Sequence, residues 1–571
     1  MNKIVLCLIL LLSLQGLLFA QYSGGAGPGD NFNLLANQHL DNWFKTPGNW
    51  SEAENWSQNT VPVPSERAWI KASVEVDGNY QHTDLIIEAD GKVTIPVTGA
   101  LTITGILINN ASSQGLVIKS DITGSGSLIH ATDNVSATVE RYITGNSWNW
   151  HFLSSPVADQ EISGDFTPSG ENGDYDFYSW YEPELTWVNF KNTTVEPTWF
   201  TANGSNQFEV GKGYLVAYEI SNTIKTFTGA LNQGSVNFPL SALGSGQHQQ
   251  YNHVGNPFPS SIDWKSGSGW NLSGLEPNGE GYDMHIWNDI IGNYGAFNSA
   301  SLNDGGTNNV SRYIAPMQGF MVKADNAKSG NLTMDNAIRV HSSQAFLKST
   351  EELADYLKLK VTGTPNTYSD EVIIEFNHDS DQGGASKLLS FVAEAPGLCT
   401  MKDGSKYAID FRSSPKEETT IPLHFRVGAN GNYTIQALTL ETFTQGVVIA
   451  LEDRKTGIMH ELTHSNAYTF NAMKEDNPDR FLLHFTGAFG VNELNTNDVI
   501  GIYSHGQSIY ISSIESAEAL ISVFNITGQQ VYNQQLVLDG LKQITLNVPA
   551  GCYVVQAVTS GSAVSRKVFI R

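Results

Sequence analysis

From Tyr142 to Val340 the chain says the same thing twice. Trp150-His-Phe-Leu-Ser-Ser-Pro-Val157 returns as Tyr251-Asn-His-Val-Gly-Asn-Pro-Phe258. Tyr175-Asp-Phe-Tyr-Ser-Trp-Tyr181 returns as Tyr282-Asp-Met-His-Ile-Trp-Asn288, and Gly211-Lys-Gly-Tyr-Leu-Val-Ala217 as Met317-Gln-Gly-Phe-Met-Val-Lys323. The anchors keep step, since Pro156 to Pro257, Tyr175 to Tyr282 and Gly213 to Gly319 each span about 100 to 107 residues. A duplicated β-unit fits, over about 142–245 and 250–340, with alternating strands and loops rich in Gly, Asn and Pro. The two copies are expected to pack as a pseudo-symmetric pair. Gly213 and Gly319 should mark a close backbone approach or a turn, because an aromatic and an apolar strand follow each.

The flanking blocks also read as strands. Residues 42–140 open on Gly48-Asn-Trp-Ser-Glu-Ala-Glu-Asn-Trp-Ser57 and Val61-Pro-Val-Pro64. Three β-rich runs follow: Thr83–Ile87, Ala100–Thr104 and Gly115–Lys119. Glycines at 91, 99, 105, 115, 124 and 126 mark the corners. A spacing of about 15 residues predicts rungs of a short parallel β-solenoid, each burying its face on the next. The "NW…NW…P" opening resembles the cap that precedes such solenoids in surface proteins, so its tryptophans are expected to close an end rather than bind sugar. Residues 346–490 carry strand signals 8 to 15 residues apart and predict a β-sandwich. Val491–Asn497, polar and Asn-rich, reads as a linker.

Size and charge bound the rest. At 571 residues, a prior of about 150 per domain gives about four domains. The net charge of −25 argues against nucleic acid, whose phosphates demand a basic surface, and disfavours docking on anionic lipid. At the start, Lys3, an apolar run from Ile4 to Leu14, and Leu17-Leu-Phe-Ala20 before Gln21 predict a cleaved signal peptide over residues 1–20. The apolar stretch is interrupted at Ser13, Gln15 and Gly16, whereas a membrane helix needs about 20 apolar residues. Cys7 lies ahead of most of that run, badly placed for a lipid-acceptor role. Cleavage would leave Cys399 and Cys552 in different predicted domains, so disulfides are not expected to hold the protein together.

The last stretch, 498–571, carries an ordered set of signals. Alternating strands at Ser508–Ser512 and Leu520–Phe524 lead into an Asn525-Ile-Thr-Gly-Gln529 turn. Pro549-Ala-Gly-Cys-Tyr-Val-Val555 and Arg566-Lys-Val-Phe-Ile-Arg571 complete it. The order resembles the type A sorting domain of the type IX secretion system, and the motif positions are Gly528, Pro549, Gly551, Tyr553 and Lys567. Cys552 departs from the usual aliphatic residue. The resemblance implies an immunoglobulin-like β-sandwich and passage through the Gram-negative outer membrane by the type IX machinery. It also implies removal of the domain, with attachment to surface lipopolysaccharide or release. The duplicated region in turn resembles an uncharacterised module of type IX cargo, which implies a fold neighbourhood and no activity.

Two patterns invite a catalytic reading. His460-Glu-Leu-Thr-His464 satisfies H-E-x-x-H, the zinc protease signature, which needs a helix to bring both imidazoles to one ion. Its surroundings read as strand, turn and strand, and strand residues i and i+4 lie about 13 Å apart. No third ligand is recognisable, so His460, Glu461 and His464 are rejected as a metal site. The second pattern interleaves Asp174, Asp176, Glu182 and Glu184 with Tyr175, Trp180 and Trp187, and the second copy has Asp283, Trp287, Asp289 and Tyr294 at related places. Aromatic platforms beside acids serve glycan clefts and glycosidases. A catalytic pair rarely appears twice in equivalent positions, whereas a structural strand-turn element would. Tyr175, Trp180, Trp187 and Trp287 therefore remain as glycan-binding candidates, with no catalytic residue assigned. Asp379-Ser-Asp381 and Asp304-Gly-Gly306 fall short of the ligand count of a defined calcium loop. No P-loop, Rossmann fingerprint, nucleophile elbow or Cys-based zinc pattern occurs, and no cofactor is expected.

The sequence thus predicts a secreted all-β protein of several domains, either released or anchored on the outer face of the outer membrane. Adhesion, through a glycan or a protein partner, is the leading role. A secreted hydrolase, glycosidase or zinc protease, is the rival.

Overall fold

The computed structural model describes residues 41–168, 174–220, 222–326, 330–342, 355–414, 418–440, 443, 447–486, 500–505, 507–561 and 563–570. The predicted signal peptide and the predicted linker Val491–Asn497 lie outside them. Among the described residues only Trp199–Asn203 is α-helical, capped by the Thr198 hydroxyl and by Gly204 in the left-handed region.

Short parallel strands open the described chain, arranged on three faces. One face stacks Gly48–Asn49, Ser73–Glu75, Lys92–Ile95 and Leu116–Ile118; a second stacks Asn79–His82, Ala100–Ile103 and Ser127–Ile129. The third runs Asp41–Phe44, Arg67–Ile70, Leu85–Ile87 and Leu107–Asn109. Like positions therefore stack: Val74 pairs Val93, Val93 pairs Leu116, and Leu101 pairs Leu128, all within one apolar core. The three runs spaced by about 15 residues lie on three different faces. Successive strands of one face are farther apart, from Ala68 pairing Leu85 to Leu101 pairing Leu128. Gly91 is a corner where a Cβ would stand 2.1 Å from the Ile70 carbonyl oxygen, so only glycine fits. Trp50 and Trp56 are fully buried at the first turn, and the Trp56 indole donates to the Trp50 carbonyl.

Ser136–Ile143 runs straight through the 140/142 border drawn from the sequence. It pairs parallel with Leu116–Ile118 on one side and antiparallel with Thr223–Ala230 on the other. The coil and the first copy consequently share one apolar core, from Phe44 to Met317. The second copy closes the coil's far end. The Leu128 amide donates to the Pro259 carbonyl, Arg339 donates to the His130 carbonyl, and His341 bridges Thr102 and Ser127.

Both copies carry one strand order. The first sets out His151–Leu153, Tyr214–Tyr218, Tyr175–Tyr181 and Thr186–Asn189; the second sets out Tyr251–Gly255, Gly319–Lys323, Gly281–Asn288 and Asn293–Asn298. Adjacent strands are antiparallel throughout. Their seam is reciprocal. Leu153 bridges Gln318 while Val254 bridges Lys212, and the Ser154 amide donates to Met317 as the Gly255 amide donates to Gly211, each at 2.9 Å.

The third block is a single eleven-stranded sheet that rolls over itself. Tyr468–Ala472 forms one end of the strand order, and Phe481–Thr486 lies near the other, yet Phe470 meets Phe481 edge-on at 4.8 Å across the core. Tyr433 donates to the Ala429 carbonyl four residues upstream, pinning a turn. Ala296 and Ala300 of the second copy pack against Tyr356, Ile373 and Ile409 of this sheet.

Residues 500–570 form a separate five-stranded antiparallel sheet with its own core, including Ile509, Ile521, Val523, Val555 and Ile570. Tyr510 touches Val448 of the rolled sheet.

Candidate functional site

The aromatic candidates meet at the seam between the copies, with one exception. Trp180 pairs Trp187 across strands, and Trp287 pairs Tyr294 at the equivalent place. Trp187 lies 5.3 Å from His253 and Tyr294 lies 6.1 Å from Phe152, so the ring contacts cross the seam in both directions. The Trp180 indole donates to the Tyr251 carbonyl, and Trp287 stacks on Phe391 at 3.8 Å. Tyr175 is not among them. It is buried in the first core beneath Lys191. The space left beside Trp180, Trp187 and Phe391 is about 40 Å³, room for about one water rather than a sugar ring.

Four of the interleaved acids are engaged in holding loops. Glu182 is buried and accepts from the Ser241 hydroxyl and from the amides of Leu243, Gly244 and Gln250, which ties down the segment between the copies. Asp283 accepts from Asn278, Asn298 and the Ser386 amide. Asp289 takes the Asn149 amide and the Trp287 indole, and Asp176 takes Asn189. A carboxylate that accepts from donors of its own fold braces the loops that carry them.

His460 and Glu461 lie on the strand Ile458–Glu461, where Leu451 pairs His460. The bridge between Thr463 and Asn466 then turns the chain. Burial lowers the His460 pKa and raises that of Glu461. Among the described residues no group of three or more His, Cys, Asp or Glu side chains converges on a point where a metal ion could sit. Cys399 is buried and Cys552 half-buried, both as free thiols.

A polar cleft of about 350 Å³ opens between the second copy and the rolled sheet, lined among others by Glu280, Leu302, Asn377, His378, Asp379 and Phe411. His378 is firmly held. Its ring stacks on Phe411 at 3.9 Å, its amide donates to Arg412, and Nε2 lies 3.0 Å from the fully buried Glu375. Sequence reading passed over His378, Glu375 and Ser301, because their convergence depends on two modules meeting. The only signal nearby was the Asp379-Ser-Asp381 loop, weighed there for calcium. Asp381 instead accepts from the amide and hydroxyl of Ser413.

The motif of the last sheet is local architecture. Asn525 accepts from Thr527 and Gln529 around Gly528, whose φ of 80° only glycine adopts freely. Tyr553 is buried and donates to the Pro549 carbonyl at 2.7 Å; Gly551 begins the strand, and Lys567 is exposed opposite Val554.

Residues 44–485 match the family described as Domain of unknown function (DUF8693), and residues 504–571 match the Secretion system C-terminal sorting domain. Among known proteins, the chain is similar to the Minor fimbrium subunit Mfa5 of Porphyromonas gingivalis (strain ATCC 33277), with 23% identity over 564 residues. That match covers 89% of this chain but only 44% of the relative, so the chain spans less than half the relative's length. Among solved structures, a Biofilm associated protein - BSP domain aligns over 75% of this chain and 97% of its own. Its identity is 8% and its TM-score 0.13, too low to indicate a shared fold.

Proposed function

The chain belongs to the DUF8693 family and carries a type IX sorting domain, which makes it a secreted, cell-surface cargo of that secretion machinery; from this premise we propose that it works there as a binding protein, in adhesion rather than hydrolysis. One observation carries this reading. Glu182 and Asp283, two of the acids that could have served a glycosidase, are buried and each accept from several intramolecular donors. The H-E-x-x-H segment lies on a strand and a turn, where the two imidazoles do not share a helix face. Similarity to a fimbrium subunit supports a surface role, and removal of the sorting module would be followed by attachment to lipopolysaccharide or by release.

Comparing cells with and without the gene for attachment to glycan-coated and protein-coated surfaces tests the reading. In parallel, the purified chain is assayed on casein and polysaccharides. Loss of attachment without any hydrolysis supports it. Turnover of either substrate, abolished by Glu182→Gln or by His460→Ala, would return the protein to the hydrolases.

A further inference from the structure

The geometry points to the cleft around His378 as a carbohydrate site that takes a neutral hexose residue. This rests on the binding reading above and names its place and ligand class. Three observations carry it.

The first is an oriented acceptor. Glu375 is fully buried and accepts on both oxygens, from the Ser301 hydroxyl at 2.7 Å and from the Leu302 amide. An acceptor-only carboxylate requires His378 Nε2 to be its donor, and in the neutral imidazole Nδ1 is then the ring's acceptor. His378 lines the cleft, with its side chain 13% exposed. Stacking on Phe411 and the Glu375 contact fix the ring, so the imidazole meets a ligand in the cleft without further ordering cost.

The second is the sign of the surrounding charge. Glu280 and Asp379 are exposed and make no hydrogen bond to described residues. Lys402, 2.9 Å from Asp410 Oδ1, and Arg412, 2.7 Å from Asp410 Oδ2, share that one carboxylate, and neither is among the residues lining the cleft. A site rich in acceptors and poor in free cations favours a ligand that donates hydroxyls and repels sialic or uronic acids.

The third is shape. About 350 Å³ falls at the lower end of small-molecule sites, roughly 300–1,000 Å³, and the site lies between two modules, where such sites concentrate. Ala300 and half-exposed Leu302 give an apolar wall for the C–H face of a sugar.

The test is a glycan array probed with the full chain, followed by calorimetric titration of the best neutral oligosaccharide. His378→Phe keeps the stacking ring and removes Nδ1; the expected result is at least tenfold weaker binding. Glu280→Ala with Asp379→Ala removes two exposed acceptors and leaves the core alone, so it gives the same reading should His378→Phe fail to fold. A blank array, binding only to acidic glycans, or an affinity indifferent to the Glu280/Asp379 pair would each overturn the assignment. Adhesion lost on gene deletion alongside a blank array would sink this site while leaving the binding reading intact.

Discussion

Phe152 and His253 face each other with ring centroids 4.1 Å apart, and they are the same position of the repeat. The pseudo-two-fold axis between the copies therefore passes between an aromatic ring and an imidazole. Neither nitrogen of His253 finds a hydrogen-bond partner among the described residues. Gly213 and Gly319 flank the pair because nothing larger fits. A Cβ on Gly213 would stand 2.5 Å from the His253 ring and 2.6 Å from the Val254 carbonyl oxygen, and one on Gly319 would stand 2.7 Å from His253.

Gly213→Ala should accordingly destabilise the protein by about 1–3 kcal/mol, the usual cost of overpacking a filled core. Chemical denaturation monitored by tryptophan fluorescence measures it. An unchanged midpoint would mean that the seam is looser than the distances indicate.

Acid should weaken the fold well before the carboxylates titrate. Burial holds the pKa of His82, His130, His151 and His341 down to about 4, and that of His253, also beside Lys212, well below its ordinary value. Below about pH 6.5 the unfolded chain takes up protons that the folded chain refuses, so stability rises with pH across the window from about 4 to 6.5. Thermal melts at half-unit steps should show Tm falling through that window. His130→Leu should flatten the slope, and a flat wild-type profile would contradict the sign.

Glu182→Ala leaves the Ser241 hydroxyl and the amides of Leu243, Gly244 and Gln250 without their acceptor. The expected loss is about 3 kcal/mol or more, with hydrogen exchange rising first at residues 241–250. Protection that stays the same there would show that another group holds the segment.

His460→Ala with His464→Ala should leave stability nearly unchanged, and zinc should move the melting temperature of neither protein. A zinc-dependent rise seen only in the wild type would revive the protease.

Removing residues 498–571 should leave a folded protein trapped in the periplasm, because the last sheet has its own core and meets the rolled sheet in a small cluster of Tyr510, Leu541, Val448 and Met459. Normal surface levels of the truncated chain, measured on intact cells, would break the link between this module and export.

The repeat, the all-β character and the sorting module were legible in the sequence because each depends on near neighbours. The Asn525–Gly528 turn and the Tyr553–Pro549 bond are set within a few residues. The duplication shows wherever Pro156 is matched by Pro257. Tertiary structure decided the rest. The three-face coil needs circuits longer than the spacing between recognisable strands, since consecutive runs point to different faces. Tyr175 and Trp180 read alike as aromatic residues five apart, yet one is buried in the first core and the other lies at the seam. The cleft of His378 exists only where the second copy meets the rolled sheet, and Ser301 and Glu375 are brought together by packing across that boundary. Local chemistry is written in adjacent residues, whereas convergence of distant ones is written only in the burial of one module against another.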